Sequence, residues 1–495
     1  MFSLQLVVWS IVLVTSCSAL DLTFPPEFKF GAASASYQVE GGWNVSDKTI
    51  SVWDKLVHEN PDAISDRSNG DVACDSYHLW QRDVEMAEEL GLHFYRFSIS
   101  WPRVLPTGYS NYISKDGRDY YNNLINGLLE KGIEPLVTIY HWDLPQNLQE
   151  LGGWLNPLIT DWFADYAKVL FSLYGDRVKT WLTLNEPMAM CDLTFNSGVM
   201  APPLVVEDVG AYICNKNILI AHAKAWRIYD EEFKPLYNGQ VSIANQLMWF
   251  EPLTPDDEDL AEAARENMGG RYSHPIYSKD GGWPPVIEKM IAEASEKRGY
   301  TKSYLPEFTQ EELELIRGTF DFYAINHYTS RLIRHAEPGE ELGPWPMGDA
   351  PHLNGKVLVN PKWSNGTSNW FSIYPEGLRR QLVWLKEQYG DMKILITENG
   401  YSSGVGLEDT ARVNYYRDYL EQVLLAIKED GVNVIGYTAW TLMDNFEWTD
   451  GYQSRFGLYE VDFDSPTRTR TPRASATYYK NIIKAHKLVK PNNVF

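Results

Sequence analysis

Short apolar segments alternate with longer amphipathic segments along almost the whole chain. A nearly continuous apolar run predicts a strand that is buried on both faces, and apolar positions recurring every 3.6 residues predict a helix. The eight predicted strands are residues 28–37, 93–101, 134–143, 178–187, 240–248, 321–330, 393–400 and 434–444. The eight predicted helices, one after each strand, are residues 75–91, 117–132, 158–176, 211–233, 256–270, 375–390, 408–431 and 474–489.

Strict alternation of strands and helices predicts a parallel sheet. Eight such units predict that the sheet closes into an α/β fold, a (β/α)8 TIM barrel. The chain is longer than the roughly 250 residues of a typical barrel, and the excess lies in residues 39–74, 271–320 and 331–374. We expect these segments to be long loops that wall the face where the strands end. No linker or repeat divides the chain, which predicts one domain over residues 20–495.

The first 19 residues differ from the rest of the chain. They carry no charge, are apolar from Leu4 to Val14, and end with Cys17 and Ala19 at the −3 and −1 positions of a cleavage site. The apolar run is too short to span a membrane comfortably. Residues 1–19 are therefore interpreted as a signal peptide, with a membrane anchor as the alternative. We expect a secreted, extracellular protein.

If the protein is secreted, its cysteines can form a disulfide and two of its asparagines can be glycosylated. Cys74, Cys191 and Cys214 remain after residue 19, so at most one disulfide can form, and the sequence leaves open which two cysteines pair. There is no CxxC pair, so we expect neither a metal nor a redox centre. The sequons at Asn44 and Asn365 are candidate glycosylation sites.

The net charge and the aromatic content indicate which kind of ligand the protein binds. A formal net charge of −22 disfavours binding to nucleic acids and to anionic membrane surfaces. Aromatic residues make up 14% of the chain, and their flat faces suit ring-shaped ligands such as sugars. We expect a small-molecule ligand, and the sequence does not indicate an oligomeric state.

Two of the predicted strands end in a glutamate. The fourth ends in TLNEP, which contains Glu186, and the seventh ends in ITENG, which contains Glu398. The carboxyl ends of barrel strands are where catalytic residues lie in this fold. A carboxylate at the end of an apolar run is costly unless it is solvated or paired. Glycoside hydrolysis uses two facing carboxylates as its catalytic groups and requires no cofactor.

Other strand ends carry residue types that bind sugars. Amides and carboxylates can hydrogen-bond neighbouring hydroxyls, and tryptophan can cover the face of a sugar ring. The candidates at or near strand ends are Gln38, Arg96, His141, Asn185, Asn326, Tyr328, Trp440, Glu447 and Trp448.

The chain resembles glycoside hydrolase family 1, the β-glucosidase family, over residues 22–489. Four motifs carry the resemblance: FKFGAASASYQVEGGW, TLNEP, ITENG and YTAWTLMDNFEW. The chain is most similar to secreted insect members. The resemblance implies a barrel that hydrolyses terminal β-D-glucosides with retention through a covalent glycosyl-enzyme, extending to fucosides and galactosides.

The resemblance also implies roles for individual residues. Glu186 would be the acid/base and Glu398 the nucleophile, with Arg96, Asn326 and Tyr328 around it. The residues implied in binding the glycone are Gln38, His141, Asn185, Glu447 and Trp448, with Trp440 as a stacking floor. Trp370 would match the tryptophan at the aglycone gate, a position for which Trp363 and Trp345 compete. We expect Arg96 and Tyr328 to lower the pKa of Glu398, and the charge of Glu398 to raise the pKa of Glu186.

Three alternatives stay open. A thioglucosidase (myrosinase) acting on glucosinolates would need cations beside the aglycone. The segment after Glu186 carries Asp192 and no cation before Lys216, whereas Arg331 and Arg334 follow Tyr328. A catalytically silent sugar-binding barrel would be expected to lack a catalytic glutamate, and both are present. A serine esterase would use Ser402 in GYSSG, but no helix follows at once and His486 is the only later histidine.

Overall fold

The computed structural model describes residues 21–343 and 351–489, so the predicted signal peptide, residues 1–19, lies outside the described residues. Eight parallel strands form a closed barrel, which confirms the predicted fold. The strands are β1 (Lys29–Ala33), β2 (Phe94–Ser98), β3 (Glu134–Tyr140), β4 (Thr180–Asn185), β5 (Gln240–Gln246), β6 (Tyr323–Asn326), β7 (Ile394–Asn399) and β8 (Val434–Ala439). Closure is made by β1, which pairs with both β2 and β8.

One long helix follows each barrel strand. These helices are α1 (Ser76–Leu90), α2 (Lys115–Glu130), α3 (Ile159–Tyr174), α4 (Gly210–Ile228), α5 (Glu258–Arg265), α6 (Pro375–Tyr389), α7 (Thr410–Lys428) and α8 (Ala474–Ala485). Helix α4 continues through Tyr229–Phe233 and Lys234–Tyr237, and α5 continues through Glu266–Gly270 and Arg271–Tyr277.

Smaller elements occupy the connections. The additional helices are Ser36–Val39, Val52–Glu59, Trp101–Val104, Gln146–Glu150, Ala189–Asn196, Pro285–Lys297 and Gln310–Ile316, and the single turns of 3-10 helix are Pro61–Ala63, Gly153–Leu155, Pro255–Asp257, Pro351–Leu353 and Trp448–Asp450. One small sheet joins Trp249–Pro252, Ser330–His335 and Gly355–Leu358, and two pairs join Ser364–Asn365 to Ser372–Ile373 and Tyr459–Val461 to Arg470–Pro472.

All eight barrel strands are shorter than the apolar pattern predicts, and two of them show why. The predicted strand 321–330 spans the end of β6 and the beginning of Ser330–His335, which belongs to a different sheet. The predicted strand 28–37 ends at Ala33, and the chain then turns into the helix Ser36–Val39. In both places the residues stay buried after the strand ends, so an apolar run alone does not mark where pairing stops.

The inside of the barrel has an apolar layer beneath a polar one. Phe94 and Arg96 lie two residues apart on β2, so they face the same side of the strand. Arg96 reaches Glu398 across the barrel, which shows that this side is the interior. Phe94 belongs to a separate apolar cluster whose other buried members are Leu136, Leu182, Ala244, Phe322, Ala324 and Leu395. This cluster fills the barrel, and the larger core packs the strands against the helices.

The expectation for the segment 271–320 is wrong. This segment leads from α5 to β6 and therefore follows a helix rather than the end of a strand. It contains the helices Pro285–Lys297 and Gln310–Ile316 on the outside of the barrel, and none of its residues lines the cavity at the strand ends. The segments 39–74 and 331–374 each contribute to that cavity, through Ser65 and through Asn369 and Trp370.

One disulfide fastens the segment after β4 to the outer helices. Cys191, in Ala189–Asn196, pairs with Cys214 in α4, and their Cα atoms lie 5.5 Å apart. Cys74 is a buried free thiol. The pairing that the sequence left open is therefore between Cys191 and Cys214. No helix in residues 21–343 or 351–489 is long and apolar enough to cross a membrane.

We expect the variant Cys191→Ala to lower the free energy of unfolding by about 3 kcal/mol, because the bond closes a loop between cysteines 23 residues apart. Denaturant unfolding under oxidising conditions measures the difference. A reductant should lower the midpoint of the native protein and leave that of the variant unchanged. Equal midpoints for the two oxidised proteins would contradict the assignment.

Candidate active site

A cavity of about 590 Å³ opens at the carboxyl ends of the barrel strands. Side chains at the ends of β4, β5 and β7 and in the segments after β3, β4, β6 and β8 form most of its wall. The residues lining it are Ser65, His141, Trp142, Asn185, Glu186, Ala189, Leu193, Ser197, Val199, Met200, Gln246, Tyr328, Asn369, Trp370, Glu398, Trp440, Glu447, Trp448, Thr449, Asp450 and Phe456. Both glutamates singled out from the sequence therefore face one cavity.

The carboxylate of Glu398 is held by a donor on each oxygen. Arg96 Nη1 donates to Oε1 at 2.6 Å, and the Tyr328 hydroxyl donates to Oε2 at 2.6 Å. All three side chains are buried. Glu398 lies at an irregularity in the pairing of β7 with β6, and such irregularities re-aim a side chain at the end of a strand. The carboxylate is thereby fixed in orientation.

Glu186 lies in a different environment. Its backbone has φ +48°, a left-handed conformation that costs about 1–3 kcal/mol in a residue other than glycine. The Glu186 amide donates to the carbonyl of Ala244 at 2.8 Å, which holds this turn against β5. Asn326 Nδ2 donates to Glu186 Oε1 at 2.8 Å. Glu186 thus has a neutral amide as its hydrogen-bond donor, whereas Glu398 has a guanidinium.

The two environments separate the proton affinities of the glutamates. Burial, followed by the charge of Glu398, raises the pKa of Glu186 to about 8. Burial also raises the pKa of Glu398, and the charge of Arg96 and the hydrogen bond from Tyr328 act against that rise. The expectation that these two partners bring the pKa of Glu398 below its ordinary value is wrong, because the cost of removing the carboxylate from water is larger. The rise expected for Glu186 is confirmed.

Asn185 connects Arg96 to a histidine on the cavity wall. Its Oδ1 accepts from Arg96 Nη2 at 2.6 Å, and its Nδ2 donates to His141 Nε2 at 3.1 Å. Burial and the charge of Arg96 lower the pKa of His141 well below its usual range, so the ring is neutral. A neutral ring that accepts at Nε2 carries its proton on Nδ1, an assignment that follows from the hydrogen bonds. His141 Nδ1 has no partner among the described residues and is free to donate to a ligand.

Aromatic rings form a flat floor beside this histidine. His141 stacks on Trp440 and on Trp448, in each case with ring centroids 5.9 Å apart and planes within 17° of parallel. Trp448 in turn packs against Trp142 and Trp53 at 4.5 and 4.7 Å. Flat apolar faces of this kind suit the C–H face of a sugar ring.

Gln38 and Glu447 form the polar side of the same wall. Gln38 is buried, and its Nε2 donates to Asn445 Oδ1 and to the Phe446 carbonyl, both at 3.0 Å. Gln38 Oε1 has no partner within residues 21–343 and 351–489. Burial raises the pKa of Glu447 well above its ordinary value, and the charges of Asp450 and Glu398 add to the rise. Gln38 does not itself line the cavity but stands behind Glu447.

Trp370 lies at the outer part of the cavity. Its ring meets the Tyr328 ring edge to face at 5.9 Å. Trp363 stacks on Tyr374 at 4.4 Å and does not line the cavity, while Trp345 lies outside the described residues. Of the two described tryptophans that compete for this position, Trp370 is the one placed at the cavity.

The remaining candidates are distributed as follows. Ser402 is buried, and its hydroxyl accepts from the Ser368 amide, while His486 Nε2 contacts the Pro25 carbonyl, so Ser402 and His486 do not form a pair. Asn44 and Asn365 are exposed, as a glycosylated asparagine must be. In the part of the chain that the structure describes, no three His, Cys, Asp or Glu side chains are grouped to hold a metal ion.

A family model supports the interpretation of these features. The model described as "Glycosyl hydrolase family 1" matches residues 20–488. The chain belongs to glycosyl hydrolase family 1. It is a glycoside hydrolase, as the four motifs implied.

Individual family 1 proteins are similar along nearly the full chain. Myrosinase 1 of Brevicoryne brassicae is 46% identical over 94% of this chain and 100% of its own. Cytosolic beta-glucosidase of Homo sapiens is 41% identical over 94% of this chain and 98% of its own. Among solved structures, aphid myrosinase superposes with a TM-score of 0.89 at 46% identity over 94% and 100% of the two chains. A family 1 beta-glucosidase from the fungus Humicola insolens in complex with glucose gives 0.85 at 35% identity over 94% and 99%.

Several residues of the cavity were missed by the sequence reasoning. Gln246 ends β5 and could have been found by the rule that selected the other strand ends. Val199, Met200 and Phe456 lie in loops and Leu193 lies in the short helix Ala189–Asn196, and nothing in their residue type distinguishes them from core residues. Their position at the cavity follows only from the path of the loops after β4 and β8.

We expect Glu447→Ala to reduce kcat/KM for p-nitrophenyl β-D-glucoside. The loss should correspond to about 2–4 kcal/mol of transition-state stabilisation, because a site built for a hydroxyl loses a strong acceptor. Steady-state kinetics measures the loss. The exposed Glu429→Ala serves as the matched control and should leave kcat/KM unchanged. A loss below about tenfold would remove Glu447 from the glycone site.

Proposed function

We propose that this family 1 hydrolase cleaves terminal β-D-glucosides with retention, with Glu398 as nucleophile and Glu186 as acid/base. The observation that carries the assignment is the difference between their partners. Glu398 has a guanidinium on one oxygen and a hydroxyl on the other, whereas Glu186 has only a neutral amide. The group held by a cation is the better carboxylate, and the group without one is the better acid.

In the first step, Glu398 attacks the anomeric carbon and Glu186 gives its proton to the leaving oxygen. The pKa of Glu186, about 8, keeps it protonated at neutral pH. The bond from the sugar to the leaving group breaks, and an ester forms between the sugar and Glu398. Arg96 and Tyr328 hold the attacking carboxylate in place, which supplies orientation.

In the second step, water replaces the leaving group. Esterification removes the negative charge of Glu398, which is one of the two causes that raise the pKa of Glu186. The pKa of Glu186 then falls, and the carboxylate left by the first step can take a proton from water. The water attacks the anomeric carbon and frees Glu398, so two inversions give net retention.

The glycone would bind against the floor formed by His141, Trp440 and Trp448. One atom without a partner favours this placement: the Nδ1 donor of His141, which lines the cavity. Buried polar atoms are rarely left unpaired unless a ligand or water satisfies them. His141 can donate a hydrogen bond and Glu447, which Gln38 contacts at 3.5 Å, can accept one, so the two can recognise neighbouring hydroxyls, which is the pattern that a glucose ring presents.

O-glucosides are favoured over glucosinolates by the charges at the cavity. A thioglucosidase remains the second candidate because Myrosinase 1 is 46% identical to the chain. The lining residues of the described cavity include no Lys or Arg that could hold a sulfate. An alcohol leaves readily only when its oxygen is protonated, and the raised pKa of Glu186 keeps a proton available for that oxygen. A glucosinolate cleaved as fast as p-nitrophenyl β-D-glucoside would make the thioglucosidase the better description.

We further propose that the protein is secreted and glycosylated. The apolar segment of residues 1–19 supports secretion. The exposed sequons at Asn44 and Asn365 and the disulfide between Cys191 and Cys214 fit the secretory route. Expression in a secretory cell should give a mature chain that begins at residue 20. Its mass should fall on N-deglycosylation, and the double variant Asn44→Gln/Asn365→Gln should lack that fall.

Two variants test the roles of the glutamates. Glu186→Ala should retain the first step on an activated aryl glucoside, whose leaving group needs little protonation, and should then stall. Added azide needs no base and should restore turnover with a β-glycosyl azide as product. Glu398→Ala should lose the covalent step, and azide should attack directly to give the α-glycosyl azide. Proton NMR distinguishes the anomers, and the same anomer from both variants would overturn the assignment.

The pH profile tests the proton affinity of Glu186. Glu186 must be protonated for the first step, so kcat/KM for an alkyl β-glucoside should fall as the pH rises through a pKa of about 8. In Glu398→Gln the neighbouring charge is gone, and the pKa of Glu186, followed by carbon-13 NMR, should be lower than in the native protein. An unchanged pKa would mean that the two groups do not interact.

A further inference from the structure

The outer part of the cavity has an apolar wall. We call this the outer wall, and its residues are Trp142, Ala189, Leu193, Val199, Met200, Trp370 and Phe456. Val199 is 49% exposed, and the apolar surface continues with Val205, which lies against Gly198 and is 50% exposed. Exposed apolar side chains that continue into a cavity mark a surface for an apolar ligand.

The polar side chains among the outer lining residues are largely engaged with the protein. The Ser197 hydroxyl donates to the Leu193 carbonyl at 3.0 Å, and the Ser65 hydroxyl donates to the Thr449 carbonyl at 2.9 Å. Asp450 Oδ2 accepts from two serine hydroxyls. In contrast, Gln246 Oε1 is buried and has no partner among the described residues. The exposed Asn369 and the half-buried Thr449 also line the cavity, so its few polar groups that can meet a ligand are these two side chains and the buried Gln246 acceptor.

The charged residues near the outer wall are also engaged. Arg331 is buried, and its guanidinium donates to Thr329 Oγ1 and to the carbonyls of Ser330 and Trp370. Arg334 forms two bonds of 2.9 Å with Glu340. Neither arginine lines the cavity. An anionic leaving group would therefore find no cation within the described wall and would instead approach Asp450.

The outer wall is held in shape by buried contacts below it. Asp192 accepts from Arg271 with both oxygens at 2.8 Å and from the Tyr272 hydroxyl at 2.8 Å. The amides of Val199 and Met200 both donate to the Leu193 carbonyl, at 2.8 and 3.2 Å. The neighbouring disulfide adds a covalent tie. A preformed wall binds its ligand without first being ordered, which strengthens binding.

We infer that the leaving group of the natural substrate is an apolar alcohol or phenol with at most one group that hydrogen-bonds to Gln246. This inference rests on the proposed function and adds the substrate class. Each methylene that enters the outer wall should raise kcat/KM by up to about fourfold. A second sugar would bury hydroxyls against Leu193, Met200 and Phe456, where they lose their bonds to water.

A series of glucosides tests the inference on the purified protein. The substrates are methyl, butyl and hexyl β-D-glucoside, cellobiose and one glucosinolate. We expect kcat/KM to rise from methyl to hexyl by at least about 30-fold, below the full gain that burial of five methylenes would give. Hexyl glucoside should exceed both cellobiose and the glucosinolate by at least about tenfold.

Matched variants locate the effect. Val199→Asp places a charge on the outer wall and should reduce the hexyl-to-methyl ratio at least about fivefold. Val286→Asp makes the same change on the helix Pro285–Lys297, away from the cavity, at a residue that is 37% exposed. It should leave the ratio unchanged. Equal ratios in the two variants would remove Val199 from the leaving-group site.

The outcomes separate this inference from the proposed function. If p-nitrophenyl β-D-glucoside is cleaved but the alkyl series is flat, or cellobiose is as good as hexyl glucoside, the inference fails and the glucosidase stands. If no glucoside is cleaved, the proposed function fails. In that case, calorimetry still tests the apolar site by measuring the affinity of Glu398→Gln for the alkyl glucosides. An affinity that does not depend on the length of the alkyl chain would overturn the apolar site.

Discussion

The buried guanidinium of Arg96 is the interaction on which the site depends. From β2 it reaches across the inside of the barrel and donates to Thr138 on β3, Asn185 on β4 and both Thr397 and Glu398 on β7. A buried charge is tolerable only if it is paired and its donors are satisfied. One side chain therefore ties four strands to a common geometry, and the Glu398 carboxylate is part of what makes its burial tolerable.

The other polar groups of the barrel interior follow from that constraint. The Asn185 amide donates a hydrogen bond to His141, and the Asn326 amide donates to both Asn185 and Glu186. Beneath them the apolar cluster around Phe94 excludes water from the barrel. Low polarity below and a connected hydrogen-bond network above make the site rigid, and the same low polarity raises the proton affinity of both glutamates. Stability and catalysis thus use the same layer of side chains.

The outer wall differs from the barrel interior in the segments that form it and in the part of the substrate that we propose it contacts. Its residues come from loops after β3, β4, β6 and β8, and loops can change without disturbing the strand ends. The loop after β4 is kept in shape by the disulfide of Cys191 and the buried pair of Asp192 with Arg271. The proposed catalytic groups therefore lie at strand ends and the proposed leaving-group wall lies in the segments between strands and helices, an arrangement that lets one barrel serve many substrates.

Periodicity along the sequence determined the eight strands, and four local motifs, two of which contain Glu186 and Glu398, determined the family. Other features needed the tertiary structure. The segment 271–320 lies outside the barrel, and Arg331 turns away from the cavity to bond to carbonyls. The sign of the pKa shift of Glu398 also depended on the fold. Each of these is decided by distances and burial between residues far apart in the chain, which a local pattern does not contain.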